Sequence, residues 1–158
     1  MNSSVSVAAD LGLRLVVPEH GDVPLTASLY YRADDPYAIR MAFHVGTDEP
    51  VEWIFARDLL AVGLDHPAGE GDVRVWPGAR PYRDVLHIAL SSPFGQAQFE
   101  APLAALTGFL LRTFEVVPAG REGEFTDIDG ELNDLLRWAL SQNSQRRPPP
   151  KPGDQAPA

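Results

Sequence analysis

Hydrophobic and polar residues alternate with period two through the first third of this chain. Val5, Val7, Ala9, Leu11, Leu13, Leu15 and Val17 share one parity, and Ser4, Ser6, Ala8, Asp10, Gly12 and Arg14 the other. That alternation predicts a half-buried antiparallel strand, with Gly12 a natural place for a bulge or bend. After a turn over Pro18–Pro24, a second strand sets Leu25, Ala27, Leu29 and Tyr31 against Thr26, Ser28 and Arg32. The turn Ala33–Pro36 leads to a third strand, with Tyr37, Ile39, Met41, Phe43 and Val45 inward and Arg40 and His44 outward. Gly46–Pro50 is a third turn. In the fourth strand Val51, Trp53 and Phe55 share a face opposite Glu52 and Ile54. A short helix over Arg57–Leu64 follows and stops near Gly63.

The outline then recurs without any sequence repeat. Asp72–Trp76 reads as a strand with Val73 and Val75 on one face and Arg74 and Trp76 on the other. Asp84–Ser91 sets Leu86, Ile88 and Leu90 against Val85, His87 and Ala89. Gly95–Ala101 sets Ala97, Phe99 and Ala101 against Gln96, Gln98 and Glu100. Pro102 suits the first position of a helix, which runs to about Val117. Its stripe of Leu103, Leu106, Leu110, Phe114 and Val117 is widened by Phe109, Leu111 and Val116. A helix that apolar is expected to be covered on more than one side, by its own core and by another element or subunit.

Thr126, Asp127, Asp129 and Glu131 announce a last helix, because acidic and capping residues suit a helix N-terminus. Leu132, Leu135, Leu136 and Ala139 form its expected buried stripe, and Trp138 falls off that stripe. Strand meanders followed by helices, with no βαβ rhythm, predict an α+β fold with antiparallel sheets. The expected organisation is one domain over residues 1–140 and a disordered, Pro-rich tail over 141–158.

Composition narrows the functional classes. The formal net charge is −9, and Lys151 is the only lysine. The tail carries an excess of two positive charges, so Met1–Leu140 carries −11. Nucleic-acid affinity comes largely from neutralised phosphates, so an acidic body fits that role poorly. It also disfavours an anionic membrane surface as the direct partner. There is no cysteine, which excludes disulfides, thiolate metal sites and cysteine nucleophiles and fits a reducing cytoplasm. No run approaches the ~20 apolar residues of a membrane helix. The N-terminus lacks the basic start and apolar stretch of a signal peptide.

Candidate chemistry is sparse. His20, His44, His66 and His87 are scattered, without metal-ligand spacing. Ser91 and Ser92 precede Pro93 and lack the glycine-flanked nucleophile elbow. A hydrolase using either serine with His87 is therefore a remote reading. Asp127–Glu131 falls short of a calcium loop, and Gly69–Asp72 precedes a strand where a phosphate loop would follow one. No cofactor or metal is expected. What remains is a protein that acts through a shaped surface. The groups chosen as exposed and partner-binding are Glu52, Arg57, Asp58, Arg74 and Trp76, since an aromatic beside an arginine is a frequent hot-spot pairing. The alternatives are that Arg57 and Asp58 cap and solvate a helix, and that Arg74 and Trp76 stack within one subunit.

The segments DPYAIRMAFHVG (Asp35–Gly46), VEWIFARDLL (Val51–Leu60), GDVRVWP (Gly71–Pro77) and IALSSPFGQAQFEAP (Ile88–Pro102) form an ordered series. This series resembles the SsgA-like proteins of sporulating actinobacteria, regulators of sporulation-specific cell division, and among them the SsgB-like branch. The resemblance covers about Val5 to Leu140. It implies a non-enzymatic, cytoplasmic protein at the division septum that helps place the tubulin-like division GTPase. It also implies a bell-shaped homotrimer with a Whirly-like fold. The Whirly likeness carries the alternative of single-stranded nucleic-acid binding, against which the acidic charge stands. The resemblance assigns no functional residues.

Overall fold

The computed structural model describes residues 6–46, 49–81, 83–125 and 128–145. The chain divides into two compact units, Met1–Thr126 and Asp127–Ala158. In the first unit the strands are β1 (Ser6–Val17), β2 (Gly21–Arg32), β3 (Asp35–His44) and β4 (Val51–Ala56). After α1 (Arg57–Gly63) come β5 (Val73–Arg80), β6 (Arg83–Ser92) and β7 (Gly95–Pro102). Helix α2 (Leu103–Val116) and a 3-10 turn (Glu122–Glu124) complete it.

The two meanders form one sheet, ordered β4-β3-β2-β1-β7-β6-β5 and antiparallel throughout. The join is the pairing of β1 with β7 at Arg14–Glu100 and Leu15–Phe99. Alternation sets the faces as expected. Leu11, Leu13, Ala27, Leu29, Ile39, Met41, Phe43, Leu86, Ile88 and Leu90 are all buried in one core with Leu106, Phe109 and Leu110 of α2. The sheet is curled. Phe43 on β3 and Phe99 on β7 stack with ring centroids 4.5 Å apart, although β2 and β1 lie between their strands. Three strand steps in a flat sheet would span roughly 14 Å, so the concave face must close on itself.

Helix α1 closes the remaining gap by packing on β3 and on both edge strands, β4 and β5. Gly63 makes that approach possible. A Cβ there would lie 2.1 Å from Val75 Cγ2. The Ala68–Val75 bridge covers part of the outer edge of β5.

Several local expectations shift. Gly12 does not split β1, which pairs with β2 in unbroken register from Ser6 to Val17. The first turn is shorter than expected, and Pro24 sits inside β2 opposite Arg14. Strand β5 continues through Pro77 and Gly78 to Arg80; an edge strand tolerates a proline that lacks its N–H. Pro102 is the residue preceding α2, not its first residue. Tyr37 and Val45, expected inward, are exposed at the ends of the third strand's pattern.

Helix α3 (Ile128–Gln145) belongs to the second unit. Its Leu132, Leu135 and Leu136, expected as a buried stripe, are exposed, as is Trp138. Periodicity gives the helix and its apolar face, but it does not supply the surface that covers it. Ser4, Val5, Thr126, Asp127 and the tail beyond Gln145 lie outside the described residues.

Candidate partner-binding surface

Arg57 was expected to be exposed, and it is not: only 1% of the residue is accessible. As the first residue of α1 it points into the molecule. One Nη donates to the carbonyls of Thr113 (3.2 Å) and Val117 (2.7 Å), and the other to Glu122 Oε1 at 2.8 Å. It thereby satisfies carbonyls at the C-terminus of α2, where a cation also favours the helix dipole. Its guanidinium lies 4.2 Å from the Phe114 ring centroid and 5.0 Å from that of Tyr31. Hydrogen bonding from the Glu122 backbone N–H and then from Arg57 holds the Glu122 carboxyl below the usual carboxylate range, against the effect of burial. Burial pushes the Tyr31 phenol up to about 12, with Arg57 acting in the opposite direction. Its hydroxyl donates to the Pro36 carbonyl at 2.9 Å. Arg57 is thus a structural clamp rather than a contact residue. Arginine at a strand–helix junction, followed 65 residues later by a glutamate, left no signal in the sequence.

The other chosen residues do lie on the surface. Glu52 on β4 and Asp58 in the first turn of α1 are exposed. Arg74 is exposed and Trp76 half-buried on the convex face of β5. Glu52 and the Arg74–Trp76 pair therefore belong to opposite edge strands, and α1 carries Asp58 between those strands. Trp76 does not stack on Arg74. Its ring lies on the imidazole of His87, the cross-strand partner, at 5.3 Å and 16°. Gly78 makes room for that ring, since a Cβ there would sit 2.3 Å from His87 Nε2. On β7 the buried Glu100 lies opposite His87 and accepts both donors of a fork from Arg80, with Nε–Oε2 at 3.0 Å. A polar layer therefore runs across β5, β6 and β7, fixing Trp76 while leaving one side of it to solvent.

Two serine sites bear on the hydrolase reading, and one of them touches a histidine. Ser92 Oγ accepts from Phe94 N–H at 3.2 Å and donates to the Gly95 carbonyl at 3.4 Å, so it closes its own hairpin. Sequence reasoning missed the other site. Ser28 Oγ donates to Asp10 Oδ1 at 2.6 Å and lies 2.9 Å from His44 Nε2, linking β1, β2 and β3. A hydroxyl has one proton, and Ser28 spends it on Asp10, so His44 must donate through Nε2–H. Here the histidine gives a hydrogen bond to the serine, whereas a nucleophile's general base would accept one. Among the described residues no cluster of three or more His, Asp and Glu side chains is placed to hold a metal. No helix among them is long and apolar enough to cross a membrane.

One end of the curled sheet opens into a hollow of about 290 Å³ floored by Phe43, Trp53, Leu90 and Phe99. Val45, Val51 and Phe94 stand exposed at its rim, with Phe94 fully so at 99%. Exposed apolar groups gathered in one place mark contact surfaces more often than catalytic ones.

A curled antiparallel sheet with helices packed on it, presenting aromatic and arginine side chains, defines a small α+β domain of the surface-presenting kind. Residues 25–122 match the family described as Streptomyces sporulation and cell division protein, SsgA. The chain is 56% identical over 135 residues to sporulation-specific cell division protein SsgB of Thermobifida fusca, covering 85% of this chain and 98% of that one. It is 52% identical over 136 residues to SsgB of Streptomyces coelicolor, covering 86% and 98%. A solved structure of an SsgA-like sporulation-specific cell division protein from T. fusca matches with a TM-score of 0.77 at 56% identity, covering 85% of this chain and 98% of that chain. A second, described by SsgB mutations that correlate with longitudinal cell division during sporulation of S. coelicolor, gives 0.76 at 50% identity, covering 79% and 98%. The chain belongs to the SsgA family of sporulation and cell division proteins.

Proposed function

We propose that this chain is a non-enzymatic regulator of sporulation-specific cell division that recruits or organises the tubulin-like division GTPase at septation sites. The observation that carries this reading is the match to relatives named sporulation-specific cell division protein SsgB over 98% of their length. The surface chemistry supports it. Aromatic and charged groups are held on a packed sheet, Ser92 closes its own turn, and the Ser28–His44 contact links neighbouring strands. The protein acts in the cytoplasm at the division septum as a bell-shaped, Whirly-like homotrimer. The exposed apolar stripe of α3 provides area for subunit contact. Glu52, Asp58, Arg74 and Trp76 are the residues proposed to meet the partner, and Arg57 contributes by holding α1 in place.

Co-pelleting with purified GTPase polymers tests the recruitment step. The protein is expected in the polymer pellet, with a change in polymer amount or bundling. Absence from the pellet together with unchanged polymers would defeat direct recruitment.

A further inference from the structure

A second surface adjoins the Trp76 face across Glu100. On the convex side of the sheet, where β1 joins β7, Arg14 lies opposite Glu100 and Val85 lies opposite Pro102. Gly12, Val85 and Pro102 floor a depression of about 200 Å³ walled by Arg14, Arg83 and Glu100. The Glu100 carboxylate is already engaged by the Arg80 fork. Arg14 and Arg83 are exposed, and among the described residues neither has a hydrogen-bond or ion-pair partner. Two uncompensated cations thus face one depression on a chain whose formal charge is −9.

The depression does not end there. Arg83 and Pro102 also line an adjoining groove of about 680 Å³ along the outward side of α2, with Leu103, Ala104, Gly108 and Leu111. Leu111 is 59% exposed. Among the described residues, Asp84 is the one carboxylate lining this groove. A cationic site thus opens directly into an apolar one.

We propose that this composite surface docks an acidic, leucine-rich segment of a partner protein. Carboxylates of the segment pair with Arg14 and Arg83, and its aliphatic side chains lie along α2 beside Leu111. Charge selects the occupant. The body of this protein is acidic, so a basic segment would find its attraction elsewhere, whereas an acidic one is drawn only to exposed arginines, and here two of them border one apolar groove. A nucleic-acid strand would meet the same two cations, but it has no use for the apolar half of the site and is opposed by the surrounding charge. The proposal rests on the reading of this chain as a partner-binding protein, and its test does not require the GTPase.

The test is fluorescence anisotropy with the full chain and three labelled short peptides, rich in Asp and Leu, Asn and Leu, or Lys and Leu. A labelled single-stranded oligonucleotide is the competitor. The Asp–Leu peptide is expected to bind best, less tightly as salt rises. The Arg14→Glu/Arg83→Glu double variant is expected to weaken it by about tenfold and to gain affinity for the Lys–Leu peptide. Gly108→Leu fills the groove from a position where nothing lies within 4 Å of an added Cβ. It exchanges a poor helix former for a good one, so it should fold and yet lose the peptide. Equal binding of the acidic and neutral peptides would overturn the proposal. So would an Asp–Leu affinity unchanged in the double variant, or displacement of the peptide by the oligonucleotide. GTPase co-pelleting that fails while the peptide binds would remove the recruitment reading and leave this surface standing.

Discussion

Arg57 sits where a charge has no water to turn to. It is held by two carbonyls, one carboxylate and two aromatic rings, drawn from β2, α2 and the 3-10 turn. Removing it strands the Val117 carbonyl, takes one of two donors from the Thr113 carbonyl, which keeps the Val117 N–H, and removes the Arg57 cation from Glu122. Arg57→Ala is therefore expected to lower unfolding free energy by about 3–5 kcal/mol, read by urea denaturation. Arg57→Lys should recover only part of this, because an ammonium cannot reproduce the planar fork. Glu122 gives the pH signature. Its folded carboxyl titrates below the ordinary range, so its stabilisation is complete above the unfolded value near about 4.3. That stabilisation is lost as pH falls through the folded value. Thermal melts of Glu122→Gln should accordingly be less stable at neutral pH and show a shallower decline below about pH 4.5. An acid limb as steep as in the unchanged protein would mean that other carboxylates carry the acid sensitivity.

At the scale of elements, α1 matters more than its seven residues suggest. It spans between the edge strands β4 and β5, and it does so at close range because residue 63 has no side chain. Gly63→Ala would ordinarily favour a helix. Here the added methyl meets the fully buried Val75 at 2.1 Å. The expected result is destabilisation by about 1–3 kcal/mol, with the loss of amide-exchange protection concentrated in α1 and β5. A gain in stability would show that the helix can slide away from β5. The sequence located α1 to within a residue, because the strand pattern fails at Arg57 and Gly63 ends the helix. It could not show that this glycine serves contact with a strand whose pattern begins ten residues later.

At the largest scale, the first unit is built on one curled sheet and the second carries α3. Trp76 and Arg74 are presented on the convex face by the Arg80–Glu100 layer, and apolar helix surface remains on α2 and α3. Trp76→Ala/Arg74→Glu is expected to lower co-pelleting with the GTPase several-fold while shifting the melting temperature little, since hot-spot losses fall on binding. An unchanged pellet would move the contact surface elsewhere. Multi-angle light scattering at micromolar concentration should give the mass of a trimer, and a monomer mass would remove the trimeric reading. Subunit contact through the exposed α3 stripe further predicts that Leu135→Glu/Leu136→Glu shifts the mass toward monomer.

The sequence by itself determined which strands and helices form, and the inward positions along the middle of most strands but not at ends such as Tyr37 and Val45. Alternation and 3.6-residue periodicity are local, and they show whenever one face of an element is buried. Four ordered segments in strand-and-turn grammar also sufficed for the family. Tertiary structure alone decided that the two meanders share one sheet through β1 and β7, and that the sheet curls until Phe43 meets Phe99. It alone placed Arg57 inside, against groups 56 to 65 residues further along the chain. It also turned Trp76 onto His87 and brought Arg83 and Arg14 to one depression. The physical reason is the same in each case. A side chain's parity follows from its neighbours in sequence, but whether a charge faces water or a carbonyl depends on elements that only folding brings together.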